Sequence, residues 1–110
     1  MNRPQRVLFV CSQNKLRSPT AEQVFSQVEG IEADSGGIAS DAVTPLGADQ
    51  IMWADTIFVM ERSHRSKLSR RFKSQLAGKR VVVLNIPDEF DYMDEVLVGL
   101  LKARVTPHLR

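Results

Sequence analysis

Cys11 is the single cysteine of this 110-residue chain. Arg17 stands six positions after it, with Ser18 and Pro19 directly behind. Ser12, Gln13, Asn14, Lys15 and Leu16 separate the two. A loop of that length can curl until its backbone N–H groups converge on one point. Where that point lies at a helix N-terminus, free amides and the helix dipole favour an anion. Arg17 adds a planar fork matched to two phosphate oxygens. The same field favours the thiolate of Cys11, which can attack phosphorus, and Ser18 can donate to that thiolate and later to the departing sulfur. The competing reading is a small buried hydrophobe beside a solvated arginine, the usual fate of a lone cysteine at a strand end. Agreement of Cys, Arg, the Ser-Pro pair and a strand-to-helix setting outweighs it. The expected nucleophile is Cys11, and residues 12–18 are the expected substrate-binding stretch.

Position must come from the elements around that loop. Residues 7–10 form a short continuous apolar run, the pattern of a buried strand. Ser18 followed by Pro19 predicts a helix start with Ser18 as cap, and Ala21, Val24, Phe25 and Val28 fall on one helical face. A strand over 31–34 runs into a Ser35-Gly36-Gly37 turn, and a small helix follows over 45–52. Residues 56–60 are the third strand. Leu68, Phe72 and Leu76 recur at four-residue spacing in the basic segment, with Gly78 as its stop. Residues 81–84 are the fourth strand. Met93, Val96, Leu97, Leu100 and Leu101 form the face of a last helix capped by Asp91. Strand and helix alternate, and the strands are apolar throughout. The prediction is one domain over 1–110: a three-layer α/β/α sandwich with a four-stranded parallel sheet, the anion loop lying between strand 1 and helix 1.

Composition narrows the classes. At 43% hydrophobic and 25% charged residues, an ordinary globular domain is expected. One cysteine permits no internal disulfide and no Cys-rich zinc site, and His64 and His108 lack ligand spacing, so neither a metal nor a cofactor is expected. The apolar run at 7–10 is too short for a signal peptide, and no stretch approaches a membrane span. A cytoplasmic location, with no membrane association, is the expectation, and a free thiol suits it. Between Arg62 and Arg80 there are eight cations and no acid, while 88–95 holds five acids and no base. Arg62, Arg65, Lys67, Arg70, Arg71 and Lys73 are spread around a helix with only Phe72 among them. That is a poor stacking platform for nucleic acid and reads as a solvated face, or as a source of steering for anionic substrates.

The segment VLFVCSQNKLRSPTAEQVF resembles the low-molecular-weight protein tyrosine phosphatase family in Cys11, Asn14, Arg17, Ser18, Pro19, Ala21 and Glu22. ADSGG at 33–37, ADTIFVMERSHRSKL at 54–68 and IPDEF at 86–90 are similar to its later segments. The resemblance implies a phosphatase acting on phosphotyrosine in proteins or on small phosphate esters through a cysteinyl-phosphate. It implies Cys11 as nucleophile, Arg17 as phosphate clamp, Asn14 as keeper of the loop's shape and Asp88 as general acid. Geometry permits the last role, since loops leaving the strand C-termini of a parallel sheet open on one edge; Asp91, three positions on, competes for it. Phe90 and Tyr92 are candidates for a substrate wall, with the core as their alternative fate; Trp53 is assigned to the core.

Three departures stand out. Gln13 replaces a glycine, which predicts a locally altered loop. Leu16 replaces a second cysteine, so no protective disulfide can form. Glu89 replaces the proline after the acid and favours the protonated form of Asp88. The chain is also shorter than the family norm, with the shortfall expected between strands 2 and 3 and before the last helix. Two other readings share the loop: a phosphate- or phosphoprotein-binding module without turnover, and an arsenate-reductase-like oxyanion enzyme using an external thiol. Oligomeric state is not legible.

Overall fold

The structure, a computed structural model, describes residues 3–109. Four strands, β1 (Gln5–Cys11), β2 (Ile31–Gly37), β3 (Thr56–Val59) and β4 (Arg80–Val83), form one sheet in the order β2-β1-β3-β4. Every pairing is parallel. Four α-helices connect and follow them: α1 (Arg17–Phe25), α2 (Ala48–Trp53), α3 (Arg62–Arg71) and α4 (Glu95–Val105).

β1 is central, and alternation along it divides the core. Val7, Phe9 and Cys11 face Ala21 and Phe25 of α1 and Leu97, Leu101 and Val105 of α4. Leu8 and Val10 face Ile51 of α2 and Leu68 of α3 on the other side. This is the expected three-layer sandwich. Phe9 stacks on Phe25 of α1 and on Phe58, its cross-strand partner in β3, with ring centroids 5.6 and 5.4 Å away, joining the sheet to the helical layer. Trp53 packs toward the α2/α3 side, as expected of a core aromatic.

Several boundaries differ from expectation. α1 begins at Arg17 with Leu16 as its cap position and no side-chain cap bond. Ser18 is therefore not the cap, because its hydroxyl is turned inward to the loop. Val28 falls outside α1, where Gly30 at φ +83° reverses the chain into β2. Ser35, Gly36 and Gly37 are strand, paired with Phe9, Val10 and Cys11. Two glycines occur there because a Cβ on Gly36 would lie 2.7 Å from Leu46 Cδ1, and one on Gly37 would strike Ala42 Cβ and lie 2.7 Å from the Ser12 carbonyl oxygen. α2 covers six residues and starts later than predicted. α3 ends at Arg71, so Leu76 lies in the turn beyond it and Gly78, at φ +78°, closes that turn and not the helix. Asp94, not Asp91, caps α4, accepting from Val96 N–H at 2.8 Å. Met93 at φ +60° turns the chain just before it, which moves the helix start past Asp91 and leaves Val96 exposed.

Candidate active site

Cys11 closes β1, and its loop leaves at the C-terminal edge of the sheet. The chain after β2 wraps this loop from outside. Ile38 N–H donates to the Cys11 carbonyl at 2.9 Å, Ala39 N–H to Ser12 at 3.0 Å and Val43 N–H to Gln13 at 2.9 Å. With those carbonyls turned outward, the Asn14 N–H points at Cys11 Sγ, 3.2 Å away. Among the described residues, the amides of Gln13, Lys15 and Leu16 meet no protein acceptor. Unpaired amides of this kind are what the nest expected from the spacing would use. The missing glycine costs nothing: the one loop residue in the left-handed region is Asn14, at φ +56°, a conformation that asparagine tolerates well. The Gln13 side-chain Nε2 donates to Asp41 Oδ1 at 3.3 Å.

Cys11 is 3% exposed, yet its sulfur is not sealed among apolar groups. Sγ lies 2.9 Å from Ser18 Oγ, and Ser18 Oγ lies 2.8 Å from Asn14 Oδ1. One hydroxyl proton cannot serve both neighbours. With the thiol, S–H donates to Ser18, which donates to Asn14 Oδ1. With the thiolate, Ser18 donates to sulfur, and the Asn14 amide turns to donate its Nδ2 to Ser18 Oγ. The trio thus carries either ionisation state without stranding a buried polar atom.

Arg17 is buried at 2% exposure. Its Nη1 donates to Glu61 Oε2 at 2.6 Å and to the Ile86 carbonyl at 2.8 Å. The Nε–Nη2 edge makes no hydrogen bond among the described residues; Nε is 3.7 Å from Asp88 Oδ1. That edge, ion-paired with Asp88 but without a hydrogen bond, has the fork geometry that matches two oxygens of a phosphate.

Asp88 enters from the loop after β4. Two hydrogen bonds tether this loop to α1: Arg17 to Ile86, and Met93 N–H to Thr20 Oγ1 at 3.0 Å. Cys11, Ser12, Gln13, Lys15, Leu16, Arg17 and Asp88 line one cleft of about 90 Å³. That volume suits a phosphoryl group. Asp91 is not among its lining residues. Neither are Phe90, which packs on the α1/α4 side of the core, and Tyr92, which is exposed. Glu22, from the quoted Pro-x-Ala-Glu segment, lies outside the cleft too and accepts from Ser35 Oγ at 2.5 Å, tying α1 to β2.

Sequence reasoning missed two residues. Glu61, two residues past the end of β3, holds Arg17, and that guanidinium keeps its carboxyl below the usual range. His64 is buried; its Nε2 lies 2.9 Å from Ser12 Oγ, and its Nδ1 accepts from Glu61 N–H at 3.1 Å. Burial, with Arg17 nearby, pushes its pKa down to about 4. The available signal for Glu61 was its place at a strand C-terminus on the loop-bearing edge; for His64 only its three-residue spacing from Glu61 existed. Among the described residues, no group of three or more His, Cys, Asp or Glu could hold a metal ion. No described helix is long and apolar enough to cross a membrane. Arg62, Arg65, Lys67 and Arg70 are exposed on α3.

A parallel α/β/α sandwich with an anion loop between β1 and α1 is the fold of the low-molecular-weight protein tyrosine phosphatases. Among solved structures, the chain is similar to the YwlE arginine phosphatase from Geobacillus stearothermophilus, 24% identical over 94% of this chain and 87% of that one, with TM-score 0.71. It is also similar to Vibrio vulnificus Wzb in complex with benzylphosphonate, at 20% identity over 94% and 96% of the chains, with TM-score 0.76. A low-molecular-weight protein tyrosine phosphatase from T. tengcongensis is 23% identical over 96% and 99%, with TM-score 0.75. At these identities the likeness is one of fold. No family model and no curated protein matches the chain.

Proposed function

We propose that this chain is a cysteine-dependent phosphatase that hydrolyses phosphate monoesters, with phosphotyrosine in proteins as its substrate class. One observation carries the reading: Cys11 Sγ, held by Ser18 and Asn14, shares a phosphoryl-sized cleft with Arg17, whose Nε–Nη2 edge makes no hydrogen bond, and with Asp88. The thiolate attacks phosphorus while the loop amides and Arg17 hold the equatorial oxygens. As the bond to the leaving oxygen breaks, Asp88 gives it a proton. The cysteinyl-phosphate is then attacked by water, whose proton passes to the Asp88 carboxylate. The S–P bond breaks, and Ser18 and Asn14 receive the returning thiolate. No metal or cofactor enters these steps. The tyrosine phosphatases among the similar structures support the substrate class. A reduced thiol suits a reducing compartment, the cytoplasm.

The test is steady-state hydrolysis of para-nitrophenyl phosphate and of a phosphotyrosine peptide, with Cys11→Ser as control. Turnover that vanishes in the variant supports the proposal. Phosphate binding without turnover in the unmodified protein overturns it in favour of a phosphate-binding module.

A further inference from the structure

His64 stands outside the phosphatase chemistry just described, yet it is one of the few buried polar side chains among the described residues. Both of its ring nitrogens are engaged. Nδ1 accepts the Glu61 N–H and therefore carries no hydrogen. The neutral ring then bears its hydrogen on Nε2, which faces Ser12 Oγ. Ser12 receives that bond as acceptor, so its own hydroxyl hydrogen is left to donate elsewhere. Ser12 lines the cleft beside Cys11. The same ring also stands beside the Glu61 carboxylate that holds Arg17, with Nε2 3.8 Å from Glu61 Oε2.

We infer that His64 is a positioning residue of the anion loop: its Nε2–H fixes Ser12 so that the Ser12 hydroxyl donates to the bound phosphoryl group, while its Nδ1 fixes the start of α3 that presents Glu61 to Arg17. The inference rests on the phosphatase reading of the cleft. It requires a neutral ring, since an imidazolium would present a hydrogen to the Glu61 N–H. The charges that act on it come from three elements: Arg17 of α1 and Lys67 of α3 oppose its protonation, Glu61 at the start of α3 and Asp88 of the loop after β4 favour it, and burial outweighs them.

A purely structural histidine and a positioning one respond differently to two substitutions. His64→Asn keeps an acceptor near Nδ1 but is too short to reach Ser12. His64→Gln reaches Ser12 but surrenders the Glu61 N–H. The expected result is a crossing: Asn keeps the melting temperature yet loses kcat on para-nitrophenyl phosphate by about tenfold, the effect of one lost hydrogen bond to a charged group. Gln melts lower yet keeps more of kcat. Ser12→Ala should match the Asn loss, and the Ser12→Ala/His64→Asn double variant should lose no more than either single. Activity that simply tracks melting temperature, or losses that multiply in the double variant, overturn the inference. Protection of Cys11 from iodoacetate by inorganic phosphate is read on the same variants. If the unmodified protein turns nothing over, the phosphatase reading falls, and weaker protection in Asn than in Gln still supports the role of His64; equal protection overturns it.

Discussion

Arg17 Nη1 sits 2.6 Å from Glu61 Oε2, so the guanidinium proposed to clamp phosphate is already held in place by a carboxylate. A guanidinium at 2% exposure needs a partner, because an unpaired buried charge is among the costliest defects a fold can carry. The pairing uses one corner of the fork and spares the other. On the proposed mechanism, Glu61 therefore sets the angle at which Arg17 meets phosphate.

Replacing Glu61 by Gln leaves that charge with only the longer ion pair to Asp88, 3.7 Å from Nε, among the described residues. Complete removal of a partner from a fully buried pair costs about 3–5 kcal/mol. The Glu61 side chain is 41% exposed, so water takes up part of the loss, and the expected cost is about 1–2 kcal/mol. Urea unfolding measures it. kcat/KM should fall by about tenfold as the clamp loosens.

On the proposed mechanism, Ser18→Ala removes the hydroxyl that would donate to the thiolate, while Asn14 N–H remains. The thiolate loses one of its two donors both as nucleophile and as leaving group. kcat should fall by about ten- to a hundredfold, and iodoacetate should alkylate Cys11 more slowly at neutral pH. Unchanged alkylation would assign the stabilisation of the thiolate to the amides alone.

Asp88→Asn should reduce kcat on phenolic esters by about a hundredfold or more, the usual worth of a general acid. The loss should shrink for esters with better leaving groups, which need no proton. Asp91→Asn, at a position outside the cleft, should leave both rates unchanged.

The layers and the anion loop were legible because they rest on local pattern. β1 is a continuous apolar run between polar flanks, and Cys11, Asn14 and Arg17 sit within one loop of it. Glu61 and His64 were not, because their partners lie 44 and 52 residues away and only strand order brings them together. Ser18 misled for a related reason. Ser-Pro at a helix start reads as a cap, but the sulfur at 2.9 Å and Asn14 compete for the same hydroxyl. Asp91 lost the α4 cap to Asp94 through the left-handed turn at Met93, a tertiary feature tethered by Thr20.

Gly37→Ala tests the outer wrap of the loop. The added Cβ would meet Ala42 and sit 2.7 Å from the Ser12 carbonyl oxygen, a backbone atom of the anion loop itself. Relief requires the loop or the 38–43 segment to move. A cost of about 1–3 kcal/mol is expected, typical of overpacking, together with weaker phosphate protection of Cys11. Full protection at reduced stability would show that the wrapping segment, not the loop, gave way.

His64 makes the fold sensitive to acid in a defined window. Its pKa is about 4 in the folded protein, against the ordinary 6.5. Between these values the unfolded chain holds more protons than the folded one, so stability rises with pH there. The contribution is complete above about 6.5 and is lost as pH falls toward about 4. Arg17 holds the Glu61 carboxyl below its usual range, and a lowered carboxylate likewise loses its stabilisation as pH falls, but later, below the ordinary carboxylate range. Between pH 8 and pH 5 the His64 contribution should therefore fall by about 2 kcal/mol, with Glu61 still ionised. Urea unfolding of the unmodified protein and of His64→Gln across that range isolates it, since glutamine does not titrate. The gap between the two should close as pH falls from 8 to 5; a gap that stays constant would mean that the ring takes up its proton without leaving its place.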